Sequence, residues 1–147
     1  MKIGLIGLGV VGKACKEGFE HCGYNVVAHD IALDTKIEDV LETEITYLCV
    51  PTPTNDKGEC DTSIIESVIH ELRQLEYKGV IAIKSTVEPG TTARLIKQYD
   101  DKIVFVPEFL KERSAEYDFI FDHRLLLVGT ENVNYYYLYL SWMLANL

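Results

Sequence analysis

Gly7-Leu8-Gly9-Val10-Val11-Gly12 forms a G-x-G-x-x-G run. The chemistry of that pattern is the cradling of a pyrophosphate by backbone N–H groups. Gly7 would permit a tight turn, Gly9 would let a phosphate approach the backbone, and Gly12 would let a helix pack closely on a strand. Asp30 follows Gly12 at close to the ~20-residue interval of the carboxylate that accepts hydrogen bonds from an adenosine ribose. A carboxylate there repels a 2′-phosphate, and Ile31 and Ala32 follow it in place of an arginine, which favours NAD over NADP. The alternatives are a glycine-rich turn without a ligand and, for Asp30, a turn residue or helix cap. Further along, Thr52, Thr54, Ser85, Thr86, Glu108 and Glu112 each follow the end of an apolar run. Taken singly, Ser85 and Thr86 read as caps and the two glutamates as solvated charges.

These residues share a site only if the runs before them lie side by side and point the same way. The runs are Lys2–Ile6, Asn25–His29, Ile45–Val50, Val80–Lys84, Ile103–Val106 and Leu125–Val128. They are short, rich in Val, Ile and Leu, and bounded by Gly, Pro or Asp, as strands buried on both faces of a parallel sheet are. Between them the periodicity predicts helices over Val10–Cys22, Lys36–Glu42, Thr62–Glu76, Thr91–Tyr99 and Asn132–Leu144, with Asp61, Thr62 and Ser63 capping the third. The expected architecture is α/β: a doubly wound, mostly parallel, six-stranded sheet of the Rossmann type, in one domain over residues 1–147. In such a sheet ligands bind at the carboxyl ends of the strands, where all the polar residues above would converge.

Composition narrows the partners. The 147 residues carry a net charge of −9, which argues against a nucleic acid or a membrane surface, since both attract Lys/Arg patches. No apolar run is long enough to span a bilayer, and no signal-peptide pattern precedes the first strand. Cys15, Cys22, Cys49 and Cys60 match neither a zinc ribbon nor a C-x-x-C pair, so buried, reduced thiols in a cytoplasmic protein, with no metal, are expected.

The stretches "KIGLIGLGVVG", "VPTPT", "KSTVEPGTT", "PEFLKERSAEYD" and "RLLLVG" together resemble the N-terminal, NAD-binding domain of the UDP-glucose/GDP-mannose dehydrogenase family, in family order over nearly the whole chain. The family oxidises the C6 alcohol of a nucleotide sugar to a carboxylate, reducing two NAD. The resemblance implies that Thr86 positions a water, that Glu108 works with it as acid/base, and that Glu112 lies near cofactor and substrate. It implies a cofactor-binding set of Gly7, Gly9, Val10, Val11, Gly12, Asp30, Val50, Pro51, Thr52, Ser85, Thr86 and Glu112. Phe109, Leu110 and Lys111 would line a sugar site. The sequence departs from the family at Arg113-Ser114, where many members carry a glycine. It also contains no cysteine in the family's nucleophile motif, so turnover by this chain alone is not expected. The readings left open are an excised domain of a larger dehydrogenase, a naturally short form or half of a split enzyme, a stand-alone dinucleotide-binding regulator, and a hydroxyisobutyrate-type dehydrogenase, against which the KST and PEFL stretches argue.

The tail "NVNYYYLYLSWMLANL" carries two stripes at helical spacing. Val133, Tyr136, Leu140, Met143 and Leu147 would pack on the sheet. Tyr135, Tyr139 and Trp142 would face a second copy or a complementary chain, unless they are wet surface tyrosines.

Overall fold

The computed structural model describes residues 1–121 and 127–135. Its element order is β1 (Lys2–Ile6), α1 (Val10–His21), β2 (Asn25–His29), a 3-10 helix (Ile37–Val40), β3 (Ile45–Leu48), α2 (Ser63–Gln74), β4 (Val80–Ile83), α3 (Thr91–Gln98), β5 (Ile103–Phe105), a second 3-10 helix (Glu112–Ser114) and α4 (Ala115–Phe121). The strands form one five-stranded sheet in the order β2-β1-β3-β4-β5, and every pairing is parallel. The chain winds to β2 on one side of β1 and then returns to β3 on the other. The switch point therefore lies between β1 and β3, directly beyond the carboxyl end of β1, where such sheets open a crevice for a ligand.

Strand alternation sends side chains to two cores, which is what makes the sheet doubly wound. One face buries Ile6, Leu48, Ile81, Ile83 and Ile103 against the first 3-10 helix, α2 and α3 through Val40, Ile65, Ile69, Leu72 and Leu95. The other buries Ile3, Leu5, Ile45, Tyr47, Ala82 and Val104 against α1 through Cys15 and Phe19, with Phe119 of α4 packed alongside.

Several expectations are corrected. Among the described residues the sheet has five strands where six were expected. Of the sixth run, Leu125 and Leu126 lie outside the described residues, and Gly129 makes a single antiparallel bridge to Phe105. The segment over Lys36–Glu42 is a single 3-10 turn. At the start of α2, Thr62 caps no backbone group; its hydroxyl donates to Glu66 Oε1 at 2.7 Å, and Asp61 instead accepts from the Ser63 amide at 2.9 Å. Cys15 is buried, but Cys22, the residue closing α1, is exposed, and Cys49 and Cys60 are half-buried. The tail stripes reverse where they are described: Tyr135 packs on the sheet core, while Val133 is 58% exposed. Tyr136, Tyr139, Leu140, Trp142, Met143 and Leu147 lie outside the described residues. No helix among the described residues is long and apolar enough to cross a membrane.

Two elements are absent from the sequence reading, the 3-10 helix Glu112–Ser114 and α4 after it; of these, α4 does the packing. It packs along α1, with Phe119 edge-on to Phe19 at 5.3 Å between centroids. That approach depends on Gly18, where a Cβ would run into the Phe119 ring.

Candidate functional site

The three glycines of the first turn do three different jobs. Gly7 sits at φ +92°, the left-handed region open to glycine, and a Cβ there would lie 2.7 Å from the Cys49 carbonyl oxygen. Gly12 lets α1 close onto the turn, since its Cβ would strike the Gly7 carbonyl oxygen. Gly9 differs. It has ordinary extended backbone, φ −68° and ψ −161°, and a Cβ there would meet nothing within 4 Å. The protein itself does not require glycine at position 9. The space it leaves opens on the first turn of α1, where Val10, Val11 and Gly12 precede the first rung, Lys13 N–H to Gly9 O at 3.0 Å. No side chain caps that turn and no acidic residue lies in it, so its amides and the positive end of the dipole face outward. The residues present fit a bound pyrophosphate.

Asp30 is tied into the same turn. Its Oδ2 accepts from the Leu8 amide at 2.6 Å and its Oδ1 from the Ala32 amide at 2.8 Å. The Leu8 and then the Ala32 hydrogen bonds hold its carboxyl below the usual carboxylate range. A lowered folded value means that the strap is at full strength above the free-carboxylate range of about pH 4. It is lost as acid passes through the lowered value. The turn-residue alternative for Asp30 thus describes part of what it does, and each oxygen keeps a further lone pair for a ligand hydroxyl.

The ends of β3 and β4 are laced together. Ser85 Oγ donates to the Val50 carbonyl at 2.6 Å, and Thr52 Oγ1 donates to the Thr86 carbonyl at 2.8 Å. Those hydroxyl protons are engaged within the protein. Thr86 itself is exposed, and its hydroxyl makes no hydrogen bond among the described residues. Pro51 is exposed beside the buried Val50.

Glu108 is not a solvated charge. Its Oε2 lies 2.6 Å from Lys84 Nζ, with the two side chains only 15% and 6% exposed, and its Oε1 accepts from the Phe109 amide at 2.8 Å. The Lys84 ammonium also lies 5.7 Å from the centre of the Phe119 ring. Lys84, which sequence reasoning passed over, is legible only as a lysine closing an apolar run. Glu112 is exposed and lines a cavity with Val10 and Lys13, so the structure brings it to the start of α1. Phe109 and Lys111 are exposed and Leu110 half-buried.

Asp118 was also passed over. It is buried, and its Oδ2 accepts from the Lys111 amide and the Ser114 hydroxyl, each at 3.1 Å. One α4 carboxylate thereby holds the segment that carries Glu112. Asp118→Ala should cost about 1 to 3 kcal/mol, since both donors lose a charged acceptor. It should also speed trypsin cleavage after Lys111 or Arg113 severalfold; digestion at the parent's rate would show that the segment is held by other contacts.

Of the thiols, burial first and then a hydrogen bond with Cys49 push Cys15 well above the ordinary range, which makes it a poor nucleophile. Cys60 Sγ donates to the Thr86 carbonyl at 3.5 Å.

The sequence model for the NAD binding domain of the UDP-glucose/GDP-mannose dehydrogenase family matches residues 31–140. An uncharacterized protein of Methanocaldococcus jannaschii is 35% identical over 126 residues, which are 81% of this chain and 14% of that protein. The UDP-glucose 6-dehydrogenase of Streptococcus pneumoniae is 36% identical over 92 residues, 60% of this chain and 23% of that enzyme. Among solved structures, a UDP-glucose dehydrogenase from Pyrobaculum islandicum matches with a TM-score of 0.77 at 25% identity, over 90% of this chain and 41% of its own. A ternary complex of GDP-mannose dehydrogenase from Pseudomonas aeruginosa matches in fold, with a TM-score of 0.77 at 24% identity over 91% and 42%. The chain spans less than half the length of each of these relatives. The family match begins just after Asp30, so the glycine turn rests on its own geometry. Sequence and fold agree that the chain belongs to the UDP-glucose/GDP-mannose dehydrogenase family, of which it carries the NAD-binding domain.

Proposed function

We infer that residues 1–147 form one dinucleotide-binding domain that prefers NAD to NADP and serves the oxidation of a nucleotide sugar at its C6 alcohol. The observation that carries this reading is the division of labour among the glycines. Gly7 and Gly12 are required by the protein's own packing, whereas at Gly9, the residue before the uncapped first turn of α1, a Cβ would meet nothing. In this reading the α1 amides bind the pyrophosphate. Asp30, already oriented by Leu8 and Ala32, accepts from the adenosine ribose hydroxyls. Val50, Pro51, Thr52 and Ser85 form the β3–β4 floor under the cofactor. When bound, NAD supplies the hydride acceptor. Thr86, with its hydroxyl unengaged, orders a water, and Glu108, held by Lys84, takes a proton from it. Glu112 stands between cofactor and sugar, and Phe109, Leu110 and Lys111 border the sugar.

Calorimetric titration of the chain with NAD, NADP and UDP-glucose tests the reading. NAD should bind at least tenfold more tightly than NADP, because the Asp30 carboxylate accepts from a free ribose and repels a 2′-phosphate. Asp30→Ala should narrow that gap by weakening NAD and relieving NADP. Equal affinity for the two dinucleotides in the unmutated chain would sink the assignment of Asp30.

A further inference from the structure

The cavity at the start of α1 carries a pair of cations that the backbone site does not by itself call for. Its volume is about 510 Å³; Val10 and Lys13 of α1 form one wall, and Glu112, Arg113 and Tyr117 stand on the other. Three arginines lie among the described residues. Arg73 is paired with Asp100 at 2.8 Å and Arg94 with Glu66 at 2.7 Å. Arg113 has no ion pair or hydrogen bond among the described residues, although Glu112 and Glu116 are on its own wall. Lys13, from the opposite wall, is likewise without an ion pair among the described residues. Between these cations the cavity reaches the uncapped first turn of α1.

The geometry points to Arg113 as the side-chain arm of a phosphate clamp, closing on the dinucleotide's pyrophosphate from the wall opposite the α1 amides, with Lys13 beside them. This rests on the dinucleotide reading above and adds to it a specificity-determining residue. A guanidinium offers paired donors matched to two phosphate oxygens. The α1 amides can answer only the oxygens on their own side. The diphosphate then meets donors on both flanks, and recognition rests on that group as well as on the ribose. An exposed arginine contributes a screened, charge-assisted contact whose weight falls with salt.

The experiment titrates the unmutated chain, Arg113→Ala and Arg113→Lys with NAD, ADP-ribose and adenosine at low and high salt, with circular dichroism to check the fold. Arg113→Ala should weaken NAD and ADP-ribose about tenfold at low salt. It should leave adenosine unchanged and flatten the salt dependence, and Arg113→Lys should recover part of the loss. If the parent binds NAD and Arg113→Ala binds it within twofold, the clamp is overturned and the dinucleotide site stands. An equal loss for adenosine would overturn it too, since the effect would not read the diphosphate. A parent that binds neither NAD nor ADP-ribose overturns the dinucleotide reading itself.

Discussion

Gly9→Val should leave the chain folded and abolish NAD binding. The backbone at Gly9 is extended and free of strain, and a Cβ there has open space around it. The cost to the folded chain is therefore only that of a poorer helix cap, about 0.5 to 1 kcal/mol, or a Tm lower by no more than about 4 °C. The isopropyl group would instead occupy the volume in front of the α1 amides. Losing two charge-assisted hydrogen bonds to a pyrophosphate lowers affinity about 100-fold or more. Gly12→Ala is the opposite control, because its methyl meets the Gly7 carbonyl oxygen and should cost the fold before it costs the ligand. Thermal melting and calorimetry on both variants separate the effects. NAD affinity within threefold of the parent in Gly9→Val would move the pyrophosphate away from this turn.

The second large effect is expected at Lys84. Its ammonium and the Glu108 carboxylate lie 2.6 Å apart with little exposure, so Lys84→Met strands a carboxylate where water reaches it poorly. Breaking such a pair costs about 3 to 5 kcal/mol, which at this chain length corresponds to a Tm drop of about 6 to 20 °C. Replacing both partners with apolar residues removes the stranded charge. Lys84→Met with Glu108→Leu should therefore be more stable than Lys84→Met alone, despite carrying a second substitution. Urea melts of the two single variants and the double variant measure the coupling directly. A loss below 1 kcal/mol in Lys84→Met would show that solvent already screens the pair and that Glu108 is held by its neighbouring amide.

What could be read from the sequence follows the range of the interactions. Strands β1 to β5 appear as apolar runs because burial on both faces is written into each segment. The glycine turn is readable because all its requirements fall within a few residues. Strand order is not, since nothing in Asn25–His29 says on which side of β1 it lies. Nor is α4: "AEYDFIF" is two turns long, too short for a clear period, and it is fixed by Gly18 and Phe19 far away in the chain. Lys84 has the same character. A lysine at the end of "VIAI" looks like a strand terminator, and only the placement of Glu108 on the next strand's exit makes it a buried cation. The tail misled for a related reason. Equal spacing on two faces left Val133 and Tyr135 interchangeable, and packing against the sheet chose the tyrosine.

The order β2-β1-β3-β4-β5 also sets a timetable during synthesis. β1 leaves the ribosome before β2 and β3, yet it is an interior strand bonded to both of them. Its second edge stays open until Ile45–Leu48 has emerged, about 2 to 8 s later at ordinary rates of elongation. For that interval the backbone N–H and C=O groups of that edge are unpaired, and Ile3, Leu5 and Ile6 lack the covering they have in the finished fold. Within this sheet β1 is thus the strand a holding chaperone would meet before the others, and slowing translation between β2 and β3 should lower the soluble yield without altering any residue.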